Sequence, residues 1–403
     1  MKNKLFLTLL SVFLSITYSH AQLSKTIDVT TPGTLSLSLG DDKTKVSELT
    51  LTGTINDADF TTIKQMSLLK VLDMSTVNIV NGAIPASAFE NRVMDRIVLP
   101  EDIKTIGDNC FKNTTLTSPL IFPSSVESLG NGALYQIRSS FDLSKTKGSL
   151  AYIGQYAFGN ISAATLDFSD FSKLSSFGIN GSSNPFKEYR GHVILPLHLI
   201  SLPNCLFESF TGSVTLHEGI KTIGDNCFKN TTLTSPLIFP SSVESLGNGA
   251  LYQIKSSFDL SKTKGSLAYI GQYTFGNISV ETLNFSDFTK LSSFGINGVN
   301  NPFKEYRGHV ILPLHLISLP NCLFESFTGS VTLHEGIKTI GDNCFKNTTL
   351  TSPLIFPSSV ESLGNGALYQ IKSSFDLSKT KGSLAYIGQY TFGNISVETL
   401  NFS

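Results

Sequence analysis

Short apolar triplets with a variable middle residue recur along most of the chain. The last apolar residue of successive triplets is Leu99, Phe122, Leu143, Phe168, Leu195 and Leu216, at intervals of 23, 21, 25, 27 and 21 residues. Alternation over three residues predicts a short strand whose flanking side chains point inward and whose middle one points out. The outward ladder is then Val98, Ile121, Asp142, Asp167, Ile194 and Thr215, continuing with Ile238, Asp259, Asn284, Ile311 and Thr332. A second signature follows the strands: Ile106-Gly107-Asp108-Asn109-Cys110-Phe111, then Leu129 to Leu134, Ile153 to Phe158, and Leu202-Pro203-Asn204-Cys205-Leu206-Phe207. The fourth coil keeps Phe177-Gly178 but inserts residues before Pro185-Phe186.

Five coils make a unit that itself repeats. Residues 220–286 and 337–403 are identical at all 67 positions, and the copy beginning at Ile103 differs at only a few, such as Ala157/Thr274 and Asp167/Asn284. Coils of 20–29 residues with one short strand each have the period of leucine-rich repeats. The predicted fold is an α+β leucine-rich repeat solenoid with about sixteen short parallel strands, forming one elongated curved rod. Ahead of it, Asn56–Ser67 places Asp57 and Asp59 before Ile63 and Met66, which predicts an amphipathic helix capping the N-terminal end. In this reading Ile106 and Phe111 point inward and Gly107 allows a tight turn. Cysteines 110, 205, 227, 322 and 344 fill the slot of Ala133 and Ala157 as small apolar side chains.

These residues resemble the BspA-like leucine-rich repeat proteins. The family's coil reads roughly LxxIxLPxSVxxIGxxAFxxC, matched closely by Arg96–Leu116, and Leu49–Phe60, Leu69–Ser75 and Ile84–Asn91 look like the family's opening segment. The resemblance implies a right-handed solenoid, secreted or displayed on the cell surface, often acting as an adhesin toward host or microbial surface proteins. It implies no enzyme and supplies no particular ligand.

Composition narrows the partners. Thirty Lys and Arg against 31 Asp and Glu, with no basic block, exclude the electrostatic footprint of a nucleic-acid binder. Lys2 and Lys4 precede the apolar run Leu5–Tyr18, and Ser19-His20-Ala21 reads as a signal-peptidase site. That run is too short to span a bilayer. The expected organisation is a signal peptide at 1–21, an N-terminal cap with the first coils at 22–94, and the solenoid at 95–403, its last unit truncated. The expected location is outside the inner membrane: extracellular or on the outer surface, with the periplasm as the alternative.

No catalytic motif, glycine-rich phosphate loop or metal-ligand spacing is present, so no enzyme activity and no cofactor is expected. A pairing of His192 or His217 with Asp167 weighs less than plain surface histidines. Five cysteines, an odd number, suggest a free thiol or an intermolecular bond, and their spacing places Cys205 beside Cys227 and Cys322 beside Cys344 on adjacent coils. Buried free thiols are the expectation and two disulfides the alternative. The candidate partner-binding residues are Lys187, Glu188, Tyr189 and Arg190 in the segment Asn180–His192, with Lys304, Glu305, Tyr306 and Arg307 in its copy, because Tyr and Arg are the side chains enriched at interface hot spots. An extracellular protein is the expected partner. A glycan held by Tyr152, Tyr156 and Tyr189 is the alternative.

Overall fold

The computed structural model describes residues 23–396. The proposed signal peptide and the end of the last unit lie outside them. The chain is a parallel β-solenoid of about sixteen turns. Its core is one continuous apolar column from Ile27 to Ile371.

Each turn carries two short strands rather than one. The triplets form a first sheet, as predicted: Ile97 and Leu99 are buried while Val98 is partly exposed. The second signature forms a second sheet, in which Ala83–Ile84, Thr105–Ile106, Ser128–Leu129, Tyr152–Ile153 and Ser176–Phe177 pair in parallel. Two-residue strands have no alternation to read, which is why the pattern showed only the first sheet.

The hexapeptide that recurs at every unit is explained residue by residue. Ile106 is wholly buried. Gly107 is not a turn glycine. Its φ is ordinary, but a Cβ there would lie 2.6 Å from the Ala86 nitrogen and 2.7 Å from the Ile84 oxygen of the preceding coil. Close stacking of backbones therefore requires glycine. The Asp108 carboxylate accepts the Asn131 N–H of the next coil at 2.7 Å. Asn109 supplies the left-handed turn, with φ of 54°, a conformation Asn tolerates better than most residues. Cys110 is buried, and Phe111 stacks on Phe89 with ring centroids 5.2 Å apart.

The cysteine assignment needs one correction. The Cys205 N–H bonds to Asp225 O, just as the Asn226 N–H bonds to Asn248 O one coil later. Cys205 thus shares the left-handed position of Asn226, with φ of 60°, and Leu206 fills the slot facing Cys227. Cys322 is shifted likewise. The stacked-pair geometry does not arise, and all five cysteines are free thiols. Burial raises the pKa of Cys110, Cys227 and Cys344, and the half-buried thiols of Cys205 and Cys322 are pushed up to about 11. A maleimide reagent at neutral pH should therefore leave Cys110, Cys227 and Cys344 unlabelled in the native chain and label all five after denaturation. A denatured count of one would reveal bridges instead.

At the N-terminus the parallel sheet starts earlier than the pattern indicated. Leu23–Val29 pairs with Val46–Ile55, which pairs with Val71–Ile79. The predicted helix is present as Asp57–Gln65, connecting the last two of these strands. Asn56 caps it, its side chain accepting the Ala58 N–H at 3.0 Å. Asp59 is fully buried and accepts three backbone N–H groups, from Gly33 at 2.7 Å, Leu35 at 2.9 Å and Asn56 at 3.0 Å.

The ladders are interrupted at fixed places in each unit. Before Leu120, the Thr117 and Ser118 N–H groups still bond to the previous coil, but Pro119 has no N–H to give. The first sheet then opens between Phe141–Asp142 and Thr165–Asp167, which do not pair although the second sheet is continuous behind them. Further on the second sheet opens, between Ser176–Phe177 and Ser201–Leu202, while the first is continuous. Both openings recur in the next unit.

Candidate functional site

The segment Asn180–His192 divides into two parts. Asn180–Ser183 is the insertion, closed by an antiparallel bridge between its ends, with Gly181 and Ser182 exposed. Residues 184–190 are instead the regular turn of the fourth coil. Phe186 stacks between Phe158, 6.3 Å away, and Phe207, 5.4 Å away, in the aromatic column of the core.

That placement corrects the reading of Tyr189 and Tyr306. Both are fully buried. The Tyr189 hydroxyl donates to the His192 carbonyl at 3.3 Å, and burial raises its pKa to about 12. Neither tyrosine can serve as a contact for a partner. The signal that could have shown this is a spacing. Three residues after each core aromatic or leucine, the chain turns inward again: Thr114, Ile137, Ile161, Tyr189, Phe210 and Thr231 are all buried.

The remaining candidates point outward. Glu188 occupies the left-handed position, with φ of 66°, which other coils fill with Asn113 or Asn160. Its carboxylate accepts the Tyr135 hydroxyl and the Asn160 amide, each at 2.7 Å. Glu188 thereby ties three coils together, and that bond raises the Tyr135 pKa. Its copy Glu305 does the same with Tyr252 and Asn277, both at 2.7 Å. These acids are engaged structurally. Lys187, Arg190, Lys304 and Arg307 are different. Lysines at the Lys187 coil position elsewhere pair with acids of the preceding coil, as in Lys112–Glu90 and Lys229–Glu208. Lys187 follows Gly159 in that column. Among the described residues no ion pair involves any of these four basic side chains.

Two other features shape the surface. Leu197 and Ile200, on the turn after the fifth coil's first strand His192–Ile194, are 59% and 62% exposed, and Leu314 and Ile317 repeat them at 59% and 61%. His192 and His217 do not pair with Asp167. The ring nitrogens of His192 lie 2.7 Å from Ser213 Oγ and 3.1 Å from Thr215 Oγ1, and register places His192 opposite Thr165 rather than Asp167. His217 donates from Nδ1 to the Glu218 carbonyl at 2.7 Å and leaves Nε2 buried without a partner. The ladder puts it at the coil position of Pro196, where an apolar ring is otherwise used. Among the described residues no group of three His, Cys, Asp or Glu side chains could hold a metal ion, and no helix is long and apolar enough to cross a membrane.

A two-sheet solenoid with glycine-sealed coils and an aromatic column defines a leucine-rich repeat protein. The BspA type leucine-rich repeat region matches residues 82–181, 184–298 and 304–403, in six copies, and the chain belongs to that family. Among solved structures, it is similar to a leucine-rich repeat protein from Bacteroides ovatus, with 18% identity over 87% of this chain and 78% of that one and a TM-score of 0.35. Another is a leucine-rich repeat protein from Eubacterium ventriosum, with 17% identity over 78% of this chain and 79% of that one and a TM-score of 0.30. No curated protein matches the chain.

Proposed function

We propose that the chain is a secreted or surface-displayed adhesion protein that binds an extracellular protein through the basic pairs Lys187/Arg190 and Lys304/Arg307, in which the arginines are exposed and the lysines half-buried. The observation that carries this reading is their lack of acidic partners on a surface where lysines at the equivalent coil position are paired. The exposed Leu197/Ile200 and Leu314/Ile317 pairs add apolar area on the coil that follows each basic pair. Because the units are near copies, the two pairs recur five coils apart. At ~4.8 Å per strand that is roughly 24 Å, so one rod presents two equivalent contacts and gains avidity from a multivalent surface.

The test compares adhesion of the full chain with variants carrying Lys187→Ala and Arg190→Ala, Lys304→Ala and Arg307→Ala, or all four, on arrays of extracellular proteins and of glycans. Tyr189 and Tyr306 stay intact because they are core residues. Each double variant should weaken protein binding a few-fold, and the quadruple variant should weaken it by more than the product of the two. A folded quadruple variant that adheres as before, or binding confined to glycans, would overturn the reading.

A further inference from the structure

The openings in the first sheet are cavities. One, of about 240 Å³, is lined by Phe141, Asp142, Leu143, Lys147, Thr165 and Asp167, among others. Its copy of about 290 Å³ is lined by Phe258, Asp259, Leu260, Lys264, Thr282 and Asn284 among others. Both fall just below the usual ligand-site range of about 300–1,000 Å³, which suits a short segment rather than a bulky molecule.

The backbone on their walls can be worked out from the bonds that do form. Alternate residues of a strand turn their N–H and C=O groups to opposite sides. Leu120 and Phe122 donate to Ser140 O and Asp142 O, so Ser140 and Asp142 face the preceding coil. Phe141 and the Leu143 N–H therefore face the cavity. On the far wall, the His192 N–H bonds to Ala164 O and the Phe168 N–H bonds to Ile194 O, so Ala164 and Leu166 face the next coil. Thr165 and Asp167 face the cavity. Two strand edges confront each other across a gap inside one sheet, and neither is paired with the other. Unpaired strand edges accept an added strand through main-chain hydrogen bonds.

We propose that each gap binds an extended peptide that inserts as an additional strand and carries Arg or Lys flanked by apolar residues. The side-chain rows specify this occupant. On the outer face the row runs Ile121, Asp142, gap, Asp167, Ile194. A residue of the inserted strand pointing outward would stand between two carboxylates. The Ser144 and Ser169 N–H groups hold both carboxyls below the usual range, so both are ionised at neutral pH. Its neighbours in sequence would point inward, into the rows of Phe141 and Leu143 on one side and Leu166 and Phe168 on the other. The Lys147–Asp170 ion pair, 2.8 Å, joins the two coils beside the gap. Lys147 is thereby held by Asp170 and Lys145 by Glu101, so these lysines act on Asp167 and Asp142 only as weaker, secondary partners and the acids beside the gap outnumber the bases. In the second unit the outer row is Ile238, Asp259, gap, Asn284, Ile311, so that row offers one carboxylate instead of two, with exposed Glu281, in place of Ala164, lying beyond the strand's end. The first gap should be the tighter site.

The probe is a fluorescent pentapeptide, Thr-Val-Arg-Val-Thr with blocked ends, titrated into the full chain. Among the described residues two sites are expected, the first about three- to fivefold tighter, the size of one exposed charge contact. Asp167→Asn should weaken the first site toward the second. Hydrogen exchange should slow at the amides of Phe141, Leu143, Thr165 and Asp167 and at those of Phe258, Leu260, Thr282 and Asn284. Methylating the peptide's alternate amide nitrogens, which removes the ladder donors without touching the protein, should weaken binding at least tenfold. Absence of saturable binding up to millimolar peptide, equal binding of the N-methylated form, or protection elsewhere would overturn the proposal. None of these variants touches Lys187 or Arg190, so failure here leaves the adhesion reading standing, and the converse holds.

Discussion

Replacing Phe207 by Ala should cost the solenoid about 3–5 kcal/mol, the range for removing a buried phenyl ring from a core that cannot collapse around the void. Phe207 is fully buried, stacks on Phe186 and Phe228, each at 5.4 Å, and packs at a tilt against Phe210 at 5.4 Å. Its loss breaks the aromatic column between two units. Each coil touches only its neighbours, so damage at one coil decouples the segments on either side. Chemical denaturation followed by circular dichroism should then show two transitions where the unaltered chain shows one. A single transition with an unchanged midpoint would mean that Phe207 is not coupled to its neighbours.

Asp59→Ala should be comparably severe but confined to the N-terminal end. The carboxylate is buried, and its removal strands the N–H groups of Gly33, Leu35 and Asn56. Leaving a buried donor unsatisfied costs about 1–3 kcal/mol. Three donors sharing one acceptor put the total at roughly 3 kcal/mol or more on the same scale. Limited proteolysis should release the segment before Val71 from the variant while the rest of the rod resists. Asp59→Asn, which keeps an acceptor but loses the charge, should fall between the two. Equal protease resistance of all three would refute the assignment.

Inward and outward positions of the first sheet were legible because burial alternates with period two over each triplet, and that needs only three residues to register. The helix at Asp57–Gln65 was legible from its acidic first turn ahead of apolar positions at helical spacing. The second sheet was not, because two-residue strands carry no period. The Leu23–Val29 strand escaped for a related reason. Ile27 and Val29 are buried in it, but no repeat precedes them to set a register. Tyr189 looked like a contact residue because it lies among Lys187, Glu188 and Arg190, yet sequence neighbours at a turn face opposite ways. Cys205 was placed one position out because Pro203-Asn204-Cys205 mimics Asp225-Asn226-Cys227 in letters while the hydrogen bonds shift it by one. The unpaired basic side chains could not have been read from composition at all. Their isolation depends on which coil precedes them, and Gly159 is as informative there as the lysine itself.

The paired openings have a mechanical consequence. Across each one the rod is held on one side by a continuous hydrogen-bonded ladder and on the other by side-chain packing and a few isolated bonds, such as Lys147–Asp170 and Asn184 to the Glu208 carbonyl, which makes it a more compliant joint than the fully laddered coils. Within one unit the two joints lie on opposite sheets, so bending allowed by the first is opposed in sense by the second. Under tension or flow such a molecule yields at its joints before any coil unravels. Each added unit brings another matched pair of joints, so lengthening the chain adds pliancy in proportion to reach.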